Sequence, residues 1–168
     1  MTYNNVFNSL GALGLLPFGF GIVLTLIEAD FLGINGIDIF TSYSLAILCF
    51  LSGSLWGQIL KDEFFARNKI ALVMTNVLVI AGWSASLASE KFSIISLIVL
   101  GLAFCGILLL EIFLFRQSVV SLNRDYARLR FTLTALVLSG HVGMAVSYTH
   151  LRAHETKANL VCRLLLEK

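Results

Sequence analysis

Residues 92–115 read FSIISLIVLGLAFCGILLLEIFLF and contain one charged side chain, Glu111. An α-helix of about 20 predominantly apolar residues crosses the ~30 Å hydrocarbon core of a bilayer. This run exceeds that length, and it therefore predicts a transmembrane helix.

Four further apolar runs accompany it, at residues 10–27, 41–60, 70–88 and 131–145. The chain is 58% hydrophobic and 13% charged, whereas a soluble domain carries about 25% charged residues. Short charged clusters separate the runs, as is typical of membrane proteins. The sequence therefore predicts an all-α, polytopic membrane helix bundle of five transmembrane helices in one domain, residues 1–145. The last run is short for a span, so the fifth helix is expected to be truncated.

Charged residues between the runs indicate an orientation. Basic residues are concentrated in the second and fourth loops, whereas the first loop carries Glu28, Asp30 and Asp38. Loops rich in Lys and Arg face the cytoplasm. The second and fourth loops, and with them the N-terminus, are therefore expected on the cytoplasmic side. The expected partner is the lipid bilayer, since a formal net charge of +2 gives no electrostatic reason to expect nucleic acid.

A stripe of small residues runs along the second predicted helix. Its members recur at spacings of three and four: Ser42, Ala46, Cys49, Gly53 and Gly57. The last two form a GxxxG pair, and small residues let helix backbones approach closely in lipid. The pair indicates either a contact inside the bundle, which we expect, or the face of a homodimer.

Pro17 is the single proline of the chain and lies among Gly14, Gly19 and Gly21 in the first predicted helix. Proline cannot donate the hydrogen bond to the carbonyl four residues earlier, so the position predicts a kink. Such a kink serves as a gate in some transporters and as a packing device in other membrane proteins.

Two polar residues lie well inside predicted helices, where polar groups are expensive and need a partner. His141 follows Arg130 by 11 residues, or ~16 Å along a helix, which places it near the middle of the membrane. The imidazole is either a proton relay or ligand, or it is hydrogen-bonded to a neighbouring helix, which we expect. Asn76, beside Thr75, is expected to bridge two helices.

Other polar and aromatic residues lie near predicted helix ends. Trp56 is expected to anchor the second helix at the membrane interface. Tyr126, Arg128 and Arg130 are expected to contact anionic headgroups, with a specific phosphate site as the alternative. Glu111 is expected to snorkel or to pair with the basic loop that follows it.

The chain contains no HExxH, GxSxG or GxxxxGK[ST] motif and no spacing typical of a metal site. The three cysteines lack CxxC spacing and are expected to be buried apolar residues. We therefore expect a non-enzymatic membrane protein without a cofactor, acting through helix packing with itself or with a membrane-protein partner. The alternative function is a small-molecule or proton-coupled transporter or channel component.

Three segments resemble a known family. They are LGLLPF at 13–18, ILCFLSGSLWG at 47–57 and YARLRFTLT at 126–134. Together they are similar to the domain-of-unknown-function 3429 family, which includes animal transmembrane protein 69. Two positions depart from the family pattern, because Asp125 precedes Tyr126 where tryptophan is frequent and Leu78 stands where proline is frequent. The resemblance implies a bacterial inner-membrane protein, or alternatively a mitochondrial inner-membrane one, and it supplies no catalytic residues.

The end of the chain, residues 146–168, does not continue the apolar pattern. One reading frame of the transposase adapter used in short-read library preparation translates as VSYTHLRAHE and, after room for a sample index, as NLVCRLLLEK. These strings match residues 146–155 and 159–168. We therefore interpret residues 146–168 as an adapter-derived, non-native tail that packs poorly or extends the last helix, and we exclude His150, His154 and Cys162 from any site.

Overall fold

The computed structural model describes residues 9–61, 68–117 and 124–166, with side chains in the last range from 125 to 149. Five α-helices follow one another: α1 (Leu16–Leu26), α2 (Gly36–Ile59), α3 (Lys69–Leu87), α4 (Ser89–Arg116) and α5 (Arg124–Leu166). Each belongs to a segment long and apolar enough to span a membrane. The predicted all-α bundle of five transmembrane helices is confirmed.

The five helices form a closed ring, since each packs against the next and α1 also packs against α5. Helices α2 and α4 are not consecutive in the ring but also contact each other, so they are the most central helices of the bundle. The core of the bundle is built from large side chains that are fully buried: Phe40, Leu48, Leu97, Leu100, Phe104, Ile107 and Met144.

The first span is interrupted just before Pro17. Residues 9–13 are helical, Gly14 and Leu15 form a turn, and α1 then begins at Leu16 with Pro17 in its first turn. The hydroxyl of Tyr43 donates to the Gly14 carbonyl at 3.0 Å. A side chain of α2 thus supplies a donor where the helix is broken, as hydrocarbon requires. The predicted kink is present as this break.

Helices α1 and α2 approach each other closely at Gly21 and Gly36, a pairing that the sequence did not predict. An ideal Cβ on Gly36 would lie 2.6 Å from the backbone nitrogen of Thr25, and one on Gly21 would lie 3.0 Å from the Gly36 carbonyl oxygen. The side chain of Asn35 accepts from the Asp38 N–H at 2.9 Å and caps α2 at this point. The backbones therefore meet where α2 begins.

The expected internal contact of Gly53 and Gly57 is wrong. An ideal Cβ on either glycine meets no heavy atom within 4 Å. Helix α2 instead turns a different face inward, made of Phe40, Ser44, Leu48, Ser52, Leu55 and Ile59. This face carries the large side chains that fill the centre of the ring, so the small residues are left on the outside.

Helix α5 is longer than its apolar run. It begins at Arg124 and continues to Leu166, which at 1.5 Å per residue is about 64 Å and twice the hydrocarbon thickness. The part of it that is long and apolar enough to span a membrane is Asp125–Thr149. The helical extension beyond Ala145 agrees with one expectation for the tail, although Tyr148 still packs against the core. The adapter origin of residues 146–168 stays a prediction.

Replacing Gly36 with alanine is expected to destabilise the bundle by about 1–3 kcal/mol, because the new methyl group overlaps the α1 backbone. Gly19→Ala in α1 is the matched control, since its methyl group enters open space. Thermal unfolding of the detergent-solubilised protein compares the two. An equal change in both variants would contradict the close contact of α1 and α2.

Candidate functional site

A buried ion pair joins α4 to α5. The Nε of Arg130 lies 2.9 Å from Oε2 of Glu111, and the two side chains are 8% and 6% exposed. Charged side chains within membrane spans are rare and nearly always face the interior of a bundle in pairs. Each charge here is compensated by the other, so the site is electrically neutral.

Two further side chains complete this polar cluster, which consists of Glu111, Tyr126, Arg130 and Thr134. The hydroxyl of Tyr126 donates to Oε1 of Glu111 at 3.2 Å, and Nη1 of Arg130 donates to Oγ1 of Thr134 at 3.1 Å. Tyr126, Arg130 and Thr134 are four residues apart and therefore share one face of α5. Helix α5 thus presents a row of polar groups to a single carboxylate on α4.

The cluster corrects one expectation and refines another. Arg130 does not contact headgroups, because it is buried against Glu111, whereas Arg128 of the same turn is exposed. Glu111 pairs with one of the basic residues that follow it, as expected, but that residue, Arg130, belongs to α5 and not to the loop. The sequence did contain the signal: Glu111 lies five residues before the end of α4 and Arg130 six after the start of α5. In antiparallel neighbouring helices these positions lie at the same depth.

An apolar cavity of about 420 Å³ adjoins the polar cluster. It lies between α1, α2, α4 and α5, with buried Phe18, Phe104 and Val137 among its walls. Arg130 and Thr134 also line it, so the cavity is apolar with donors and a hydroxyl on its wall. Its size lies within the ~300–1,000 Å³ typical of ligand pockets.

His141 is enclosed by aromatic rings. Its ring centroid lies 4.9 Å from that of Phe40, 5.7 Å from Phe104 and 6.4 Å from Phe18. Nδ1 lies 2.8 Å from the Val137 carbonyl of its own helix. The expected hydrogen bond to a neighbouring helix is therefore wrong. Because a carbonyl only accepts, Nδ1 carries a proton; Nε2 is buried and has no partner among the described residues.

Trp56 and Thr75 link α2 to α3. Nε1 of Trp56 donates to Oγ1 of Thr75 at 2.8 Å, so the indole bridges two helices in addition to any interfacial role. Asn76 donates to the Leu72 carbonyl of its own helix and faces outward. The expected bridge by Asn76 is wrong, and its neighbour Thr75 makes that contact instead.

The small-residue stripe of α2 lies on the outer surface of the bundle. All five of its members are exposed: Ser42, Ala46, Cys49, Gly53 and Gly57. Cys49 was expected to be buried, and it is an exposed free thiol instead. The stripe faces away from the core because the opposite face of α2 carries the large apolar side chains.

Comparison with family models gives a match over residues 4–146 to the family described as "Protein of unknown function (DUF3429)". The chain belongs to this family. No curated protein and no solved structure matches the chain.

The segments that resemble the DUF3429 family contain residues of both the polar cluster and the small-residue stripe. YARLRFTLT supplies Tyr126, Arg130 and Thr134 of the polar cluster, and ILCFLSGSLWG supplies Cys49, Gly53 and Gly57 of the stripe. Within the described part of the chain, no three His, Cys, Asp or Glu side chains are grouped to hold a metal ion.

Removing one member of the ion pair is expected to destabilise the fold by about 3–5 kcal/mol, because the other charge is left buried and uncompensated. The single variants Glu111→Leu and Arg130→Met test this, and the double variant Glu111→Leu/Arg130→Met is expected to recover most of the loss. The measurement is the denaturation midpoint in detergent, with exposed Arg128→Met as the control. A double variant that loses the sum of both single changes would refute the coupling.

Proposed function

We propose that this chain is a non-catalytic multi-pass membrane protein that acts by associating with another transmembrane helix through the small-residue stripe of α2. The proposal extends to its location: a bacterial inner membrane, or alternatively a mitochondrial one, with a cytoplasmic N-terminus. The alternation of acidic and basic loops supports that orientation.

The outward direction of Gly53 and Gly57 carries this proposal. Apart from the adjoining turns of α2, no described heavy atom lies within 4 Å of an ideal Cβ on either residue. Glycine lowers helix stability by about 1 kcal/mol relative to alanine. Helix–helix association in lipid depends on close backbone contact, for which GxxxG is suited. The stripe is therefore open to a helix from outside the bundle.

A second copy of the chain is the partner that this surface fits best. Two copies inserted with the same orientation carry α2 in the same direction, so their stripes meet in the parallel arrangement of GxxxG dimers. Such a contact is self-complementary and closes with twofold symmetry, the commonest symmetry of homo-oligomers. It needs no charged or strongly polar group on either side.

The distribution of polar residues also supports a non-catalytic role. Asn76 faces outward, His141 is enclosed by phenylalanine rings, and Glu111 is neutralised by Arg130. General acid–base and nucleophilic catalysis need such groups within hydrogen-bonding reach of one another and of a substrate. These three side chains belong to separate environments.

Cys49 provides a direct test because it lies on the stripe between Ala46 and Gly53. In a variant that retains Cys49 and replaces Cys105 and Cys162 with serine, mild oxidation in native membranes is expected to give a disulfide-linked dimer. Introducing Gly53→Ile/Gly57→Ile is expected to abolish this product, because branched side chains separate the helices.

The matched control is Ala81→Ile, which places the same side chain at an exposed position of α3. It is expected to leave the dimer intact. Association through the stripe would be refuted if the yield of disulfide-linked dimer were unchanged in Gly53→Ile/Gly57→Ile. It would also be refuted if this variant and Ala81→Ile lowered the yield equally.

Transport remains the second candidate function, and the unpartnered Nε2 of His141 is the observation that favours it. A proton-coupled transporter reconstituted in proteoliposomes is expected to acidify or alkalinise the lumen, and His141→Ala is expected to reduce that flux. Absence of flux in both proteins would refute transport and leave the association proposal unaffected.

A further inference from the structure

We infer that the cavity beside the polar cluster binds a neutral lipid-like molecule, one in which an apolar chain ends in a carbonyl group. The apolar chain of this ligand occupies the space between α1, α2, α4 and α5, and the carbonyl group of the ligand accepts a hydrogen bond from Arg130. This site is separate from the stripe of α2 and does not depend on self-association.

The walls of the cavity suit an apolar chain that enters from the bilayer. Phe18, Phe104 and Val137 are buried deep in the cavity, at 5%, 1% and 6% exposure. Leu10 and Phe50 also line it but are 62% and 70% exposed, so they form its rim. A molecule dissolved in the membrane therefore reaches the cavity sideways, without crossing water.

Arg130 supplies the hydrogen-bond donors of the site. A guanidinium group has five N–H donors, and the contacts to Glu111 and Thr134 use one on Nε and one on Nη1. Arg130 lines the cavity, whereas Glu111 does not. The wall of the cavity therefore carries N–H donors of Arg130 that form no hydrogen bond with the described protein groups. No bulk water is present in the bilayer interior to accept these hydrogen bonds.

The charge of the polar cluster selects a neutral acceptor. Glu111 already compensates Arg130, so an anionic carboxylate or phosphate in the cavity would leave a net negative charge away from water. A carbonyl oxygen accepts from Arg130 without adding charge. Diacylglycerols and isoprenoid quinones both combine an apolar chain with an uncharged carbonyl group, and they present the same chemistry to the site.

Photolabelling of the purified full chain in detergent tests the cavity itself. The probe is a palmitoyl methyl ester that carries a diazirine in its chain, and labelled peptides are expected from the cavity walls. Leu133→Trp fills the cavity and is expected to lower labelling about tenfold. Leu136→Trp is the matched control, because it places the same side chain on the exposed face of α5 and is expected to change nothing.

Equal labelling in the two tryptophan variants would refute the site, since the probe would then be reporting contact with surrounding detergent and lipid. Thermal unfolding of each variant shows whether it retains the fold. Arg130→Lys provides a second test that keeps the charge opposite Glu111 but loses the planar set of donors. It is expected to lower labelling by the ester about fivefold and to leave labelling by the corresponding alkane unchanged.

Three competitors then identify the head group. A diacylglycerol and an isoprenoid quinone are each expected to displace the ester probe from wild type, and the stronger competitor identifies the natural source of the carbonyl. Stronger displacement by the free fatty acid would overturn the choice of a neutral head. Labelling by the alkane that equals labelling by the ester would overturn recognition by Arg130.

Discussion

The absence of water from the bilayer interior requires every charge there to find its partner within the protein. The contact of Arg130 with Glu111 is the described ion pair that meets this requirement. It fixes the depth of α5 against α4, because sliding either helix by one turn would separate the charges by about 5.4 Å. The position of Tyr126 and the polar side of the apolar cavity follow from that register.

Most hydroxyl groups in the described bundle find a hydrogen-bond partner within their own helix. Thr41, Ser44 and Ser93 each donate to the carbonyl four residues earlier in their own helix. These groups add polarity to the sequence without linking helices. Other hydroxyl groups form bonds between helices, as Ser96 does with the Ala85 carbonyl and Tyr43 with the Gly14 carbonyl at the break before Pro17. Polar residues of one chemical type therefore play two different structural roles.

The apolar runs and the proline predicted the five spans and the break at Pro17, because length and backbone chemistry act locally. The face that each helix buries in the bundle could not be predicted in the same way. In lipid both the inside and the outside of a bundle are apolar, so hydropathy does not distinguish the buried face of α2 from the stripe with Gly53 and Gly57. Arg130 was misplaced for a related reason, since its burial depends on a carboxylate 19 residues earlier in the chain.

The ion pair also bears on how the protein enters the membrane. A charged residue at the centre of a helix opposes insertion by about 2.5–3.5 kcal/mol. Glu111 and Arg130 lie nearer to helix ends, so each opposes insertion of its own span less strongly than this. They compensate each other only when α4 and α5 are antiparallel neighbours. The pairing is therefore expected to favour insertion of α4 and α5 together, as a helical hairpin.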